Sequence, residues 1–272
     1  MKQYLFALLG AALTPGARCH NIHGILLVNG TAAPEWKYVL DVQPPFAINP
    51  DEYPPYYQGY KLTPIIGPDN PNVTCGRAAF DAAPRTEVAD VLAGSEVGFR
   101  VSTDGNGNRD GVFSSPGGAK YPVFWHPGPG QIYLSKAPND DLQNYKGDGD
   151  WFKIAYAGPV DDSHWSLYYN VSDFNFTIPR TTPPGKYLMR IENFMPTTSV
   201  SYQQFYVNCA FVNIIGPGGG TPTEFVRFPG AYQAEDPGLL VPANQDLMGG
   251  PVKVEDMKLT EYKPPGPAVW TG

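Results

Sequence analysis

DFNFTIPRTTPPGKYLMRI, residues 173–191, holds two strands and the turn that joins them. Phe174, Phe176 and Ile178 fall on one side of an extended chain and Asp173, Asn175 and Thr177 on the other, the two-residue period of a half-buried strand. Pro184-Gly185 reverses the chain, and Lys186 to Ile191 resumes it as a strand. Downstream, Gln204 to Ile215 (QFYVNCAFVNII) is a long β-forming run. Upstream, Ile22 to Val28 runs into Asn29-Gly30, a hairpin dipeptide. Thr86 to Ala89 and Glu96 to Ser102 read as strands around a turn at Ala93-Gly94, and Gln131 to Lys136 and Trp151 to Ile154 as two more. Only Asn139 to Asn144 suggests a turn of helix. Residues 34–72 and 104–118 have no strand or helix period and read as long loops, which in compact domains are usually functional. Short strands with almost no helix specify an all-β chain, expected as an immunoglobulin/fibronectin-like antiparallel β-sandwich.

Composition agrees. The 272 residues suit one all-β domain. With 30 glycines, 30 prolines and 17% charged residues, the chain is built for frequent reversal rather than for helices. Aromatics at 13% supply enough apolar surface to exclude disorder. The formal charge of −7, without any Lys/Arg cluster, excludes nucleic acid and anionic membrane as partners, while a neutral polysaccharide fits. Residues 216–221 form a flexible break, and 242–272 read as a Pro/Gly-rich, linker-like extension, loosely packed or partly disordered.

The N-terminus directs the chain outward. Lys2, the apolar run from Tyr4 to Leu13 and the Ala17-Arg18-Cys19 ending make residues 1–19 a secretion signal peptide, too short to span a bilayer. Its removal exposes His20 and takes Cys19 with it. Cys75 and Cys209 remain, an even pair in an oxidising compartment that suits one disulfide, against the alternative of two buried thiols. N-x-S/T sequons at Asn29, Asn72, Asn170 and Asn175 fit a secreted glycoprotein.

The chain has 4 histidines, His20, His23, His126 and His164, and composition does not choose among them or between copper and zinc. His20 stands apart because, once terminal, it offers its α-amine and its ring Nδ1 together. A second imidazole completes a planar three-nitrogen set, which favours Cu(II), and a phenol fits on the axis. No pair of carboxylates is singled out as a hydrolase would need.

Several ordered motifs resemble the fungal lytic polysaccharide monooxygenases of auxiliary activity family nine, once classed as glycoside hydrolases. These are His20 with the Gly24–Gly30 strand, Val73-Thr74-Cys75-Gly76, the strand pair from Glu87 to Val101, and His126-Pro127-Gly128-Pro129 with Ile132-Tyr133-Leu134. They continue with Pro184 to Glu192, Gln204-Phe205-Tyr206 with Cys209, Phe228 to Tyr232 with Asp236-Pro237-Gly238, and the Pro265 to Trp270 tail.

The resemblance implies that residues 20–241 form a monomeric copper monooxygenase domain. In it His20 and His126 bind one copper ion, Tyr206 is the axial ligand, and Gln204 lies beside the oxygen-binding position. It implies that Cys75 pairs with Cys209, that Tyr232 lies on a flat substrate face, and that Tyr56 and Tyr57 contact substrate or pack their loop onto the sandwich. The implied reaction cleaves cellulose or a related β-linked glucan at C1 or C4 with oxygen or hydrogen peroxide and an external electron donor. One departure stands out. The family's histidine shortly after R-x-E is absent, Thr197 occupying that stretch, which raises the alternative of a secreted copper- or polysaccharide-binding protein without turnover.

Overall fold

The computed structural model describes residues 20–45, 60–102, 122–168, 170–249 and 252–272. The signal segment, Tyr53, Tyr56, Tyr57 and the 104–118 loop therefore lie outside the described residues.

The described strands form two sheets. The first has the order β2-β1-β5-β8, from β1 (Ile25–Val28), β2 (Thr31–Ala32), β5 (Glu96–Arg100) and β8 (Asp173–Thr177). The second runs β3-β10-β9-β6-β7, from β3 (Ile65–Ile66), β6 (Gly130–Lys136), β7 (Phe152–Ala157), β9 (Gly185–Met195) and β10 (Gln204–Ile215). All these pairings are antiparallel, and β4 (Ala89–Leu92) joins β10 in the one parallel ladder described. The architecture is the expected β-sandwich. Asn29 and Gly30 both take positive φ, 49° and 74°, as a two-residue hairpin between twisted strands requires.

Two apolar layers build the interior. Between the sheets, Leu26, Val97, Phe99, Phe174 and Phe176 meet Ile132, Leu134, Met189, Ile191, Ala210 and Val212. On the opposite face of the second sheet, Leu188, Phe194, Phe205, Val207 and Phe211 are covered by Ile22, Leu40, Val42, Trp151 and Phe228 from the connections. The second sheet is thus buried on both sides, which explains why β9 and β10 lack polar alternation. The Cys75–Cys209 disulfide staples one covering segment to β10.

Several expectations shift. The strand read at Thr86–Ala89 lies at Ala89–Leu92, because residues 79–85 form a 3-10 helix closed by Thr86 N bonding to the Ala82 and Ala83 carbonyls. Residues 34–72, read as loop, include β3. The helical turn near Asn139 is a 3-10 turn at Pro138–Asp140.

The largest correction concerns the tail. Residues 252–272 are docked rather than loose: Met257, Leu259 and Tyr262 form a third cluster with Trp165 and Val241. Trp270 packs edge-on against Phe152, ring centres 5.4 Å apart, and its amide donates to the Lys153 carbonyl. The tail turns through the 3-10 segments Val254–Asp256 and Leu259–Glu261, and its apolar anchors hold it against the sandwich.

Candidate metal centre

Three rings from separate parts of the sequence converge at one end of the sandwich. The centroids of His20 and His126 are 5.5 Å apart, those of His20 and Tyr206 5.9 Å, and those of His126 and Tyr206 5.7 Å.

Each ring is placed by a different device. Tyr206 and Gln204 are two apart near the start of β10, so they share a face, and the Tyr206 hydroxyl donates to Gln204 Oε1 at 2.7 Å. His126 precedes β6 in a segment pressed against β9. A Cβ at Gly128 would collide with the Phe194 carbonyl oxygen, so only glycine permits the approach. Asn193, wholly buried and opposite Tyr206 in register, donates from Nδ2 to the Pro129 carbonyl at 3.0 Å and closes the anchor. The N-terminal segment is tied down by Asn208 Oδ1, which accepts from the His23 amide, and by the Ser102 amide donating to the Ile22 carbonyl.

The electrostatics favour neutral donors. Burial lowers the His20 imidazole to about 4. Burial, and then the neighbouring His20, lowers His126 to about 3. Both rings therefore carry lone pairs at neutral pH. Both nitrogens of His126 are buried without a hydrogen-bond partner among the described residues, a costly state that coordination would relieve.

No cluster of three or more His, Cys, Asp or Glu able to hold a metal occurs among the described residues. Two imidazoles reach a three-nitrogen set only with a main-chain amine, the group that cleavage before His20 would release. The donor chemistry, two imidazoles with a phenol beyond, fits copper.

Other candidates separate from the centre. His23 is fully buried, with its ring beside Phe124 and hydrogen-bonded to Asn21, and so is structural. His164 is exposed and paired with Asp161. Tyr60 packs on the core.

Tyr232 does not lie on a flat outer face. It is 3% exposed and donates to Glu192 at 2.5 Å, with Tyr133 2.6 Å away. The reason is an interior charge network that the sequence reading missed. The Arg190–Glu192 ion pair is wholly buried at 2.7 Å, and Glu192 also accepts from Gln131. Arg190 lies over the Phe228 ring and donates to the Val73 and Thr74 carbonyls. A charged pair two residues apart within an apolar strand was the only hint.

Residues 20–249 match the family profile Auxiliary Activity family 9 (formerly GH61). The chain is similar to AA9 family lytic polysaccharide monooxygenase U of Thermothielavioides terrestris, 63% identical over 272 residues and covering 100% of each. It is similar at 32% identity over 275 residues, 98% of this chain and 83% of the other, to AA9 family lytic polysaccharide monooxygenase D of Emericella nidulans. Its fold matches the extended catalytic domain of H. jecorina LPMO9A with a TM-score of 0.62 and 24% identity, over 93% of this chain and 92% of that one.

Proposed function

The chain belongs to auxiliary activity family 9, formerly glycoside hydrolase family 61, and we propose that its three-ring centre binds copper for the oxidative cleavage of cellulose or a related β-linked glucan at C1 or C4. Membership makes it an oxidoreductase of a copper-dependent, polysaccharide-oxidising class that draws on an external reductant. The observation that carries the site assignment is the meeting of His20, His126 and Tyr206, with both His126 nitrogens buried and unpaired.

Residues 1–19 act as the secretion signal, and their removal gives His20 a free α-amine. That amine, His20 Nδ1 and one nitrogen of His126 would hold the metal, with the Tyr206 hydroxyl beside them. Copper supplies the redox chemistry that activates oxygen or peroxide. Gln204 fixes the Tyr206 hydroxyl through its carbonyl, which leaves its amide N–H₂ to donate toward an oxygen species beside the centre. The chain works as a secreted monomer whose catalytic domain, expected over residues 20–241, takes in the docked tail as well. Asn29, Asn170 and Asn175 are exposed and Asn72 half-buried, and the sequons at these positions are proposed glycan sites. Among the described residues no helix is long and apolar enough to cross a membrane.

The decisive experiment reads the N-terminus of the secreted protein, loads it with one equivalent of copper, and adds ascorbate and swollen cellulose. Oxidised cello-oligosaccharides that need both copper and reductant support the proposal. Tight copper binding with no product on any glucan would leave a binding protein, and a terminus other than His20 would undo the ligand set.

A further inference from the structure

A hollow of about 360 Å³ opens on the flank of the metal centre, with His126 in its wall. Its apolar sides come from Met195, Met248 and Tyr202, and its polar edge from Thr198 and Ser199. Tyr202 is 64% exposed and Met248 49%, well beyond what core packing would leave. None of the described lining residues is charged.

The hollow is built rather than incidental. Its two walls, the β9–β10 connection and the turn after residue 245, are tied together by one buried carboxylate. Asp246 accepts from the Thr198 amide at 2.8 Å, from the Thr197 and Thr198 hydroxyls, and from the Met248 and Gly249 amides at 3.1 and 2.7 Å. Thr197 is also bonded through its amide and carbonyl to Leu239 and Val241, so the connection is held from two sides. With its side chain drawn back onto Asp246, Thr197 leaves the space beside His126 open.

The geometry points to a subsite for a neutral single-sugar branch, which makes a substituted β-linked glucan the preferred substrate class of the copper centre. This rests on the cleavage reading above. A linear chain lying across the centre has no ring to place in a recess beside it, whereas a branch has one. The volume is at the low end of the roughly 300–1,000 Å³ of small-ligand sites, suited to one sugar ring. The apolar C–H face of a pyranose matches Tyr202 and the methionines. Its outward hydroxyls meet the Thr198 and Ser199 edge. Among the described lining residues no Lys or Arg is placed to pair with a uronic acid, and the predominantly apolar walls suit a neutral sugar.

The test titrates copper-free mature protein with a xylosylated cello-oligosaccharide and with the unbranched oligosaccharide of equal backbone length. The expected result is about tenfold tighter binding of the branched ligand, about 1.4 kcal/mol. Tyr202→Ala should erase most of that preference, and Ser199→Trp, which fills the hollow, should do the same. Equal affinity for the two ligands, or a preference that survives both substitutions, would overturn the subsite. Copper-loaded protein is then assayed on xyloglucan and on swollen cellulose. A binding preference without cleavage of either leaves the subsite standing and removes the cleavage reading, while cleavage without a preference removes the subsite alone.

Discussion

Asn193 supports the proposed metal centre without being one of its ligands. Its amide holds the Pro129 carbonyl and, through it, the backbone that carries His126. Asn193→Ala leaves that carbonyl unpaired in the interior, at about 1–3 kcal/mol. Copper affinity should fall about 10–100-fold, as for other residues that orient a ligand, which titration of the mature protein would measure. His23 governs a different property. Burial, offset in part by its hydrogen bond with Asn208, holds its imidazole near 3 against 6.5 for an exposed histidine. Below pH 6.5 the unfolded chain takes up a proton that the folded chain refuses, so stability declines as pH falls from 6.5 toward 3. At 1.36 kcal/mol per pH unit the loss reaches at most about 4–5 kcal/mol. Thermal unfolding of the copper-free protein from pH 7 to 4 would show the decline, and His23→Asn would make it shallower, since His20 and His126 contribute in the same direction.

At the scale of the element, β9 combines apolar packing with a buried ion pair. Breaking such a pair on one side strands the other charge, so Glu192→Ala should cost about 3–5 kcal/mol in denaturant unfolding. Replacing both Arg190 and Glu192 with apolar residues should recover much of that loss. The segment around His126 is equally constrained. Gly128→Ala forces a Cβ onto the Phe194 carbonyl and should lower stability by about 1–3 kcal/mol while displacing His126, seen as a lower melting temperature together with weaker copper binding. Where the periodicity was clean, as in Asp173–Thr177, the strand was legible to within a residue. Where a segment joins the sheet through a distant partner, as β4 joins β10, local pattern carried no such information, whereas β10, covered on both faces, was read to its ends as a continuous β-forming run.

For the whole molecule, the tail changes what counts as the folded unit. Lys153 is 2% exposed and donates to the Pro265 carbonyl at 2.8 Å, and Gly266 comes close enough to Tyr133 and Tyr232 that a Cβ there would press on both. Deleting residues 252–272 would bare Trp165, Phe152 and the interior charge network. It also removes Met257 and Leu259, whose burial is worth about 1.5–3 kcal/mol each. The truncated protein should unfold at lower denaturant concentration and aggregate, which unfolding curves and light scattering would record.

By itself the sequence determined the all-β class and the hairpin at Asn29-Gly30, and its resemblance to the family implied the Cys75–Cys209 pair and the three rings that meet at the proposed metal centre. These were legible because alternation, turn chemistry and a few chemically rare side chains are local properties. The tertiary structure alone decided that Tyr232 turns inward, that Asn193 and Gly128 hold His126, that the Pro/Gly-rich tail docks, and that a hollow opens beside His126. Each of these depends on which distant segments share a face, and burial is set by that pairing rather than by the composition of any one stretch.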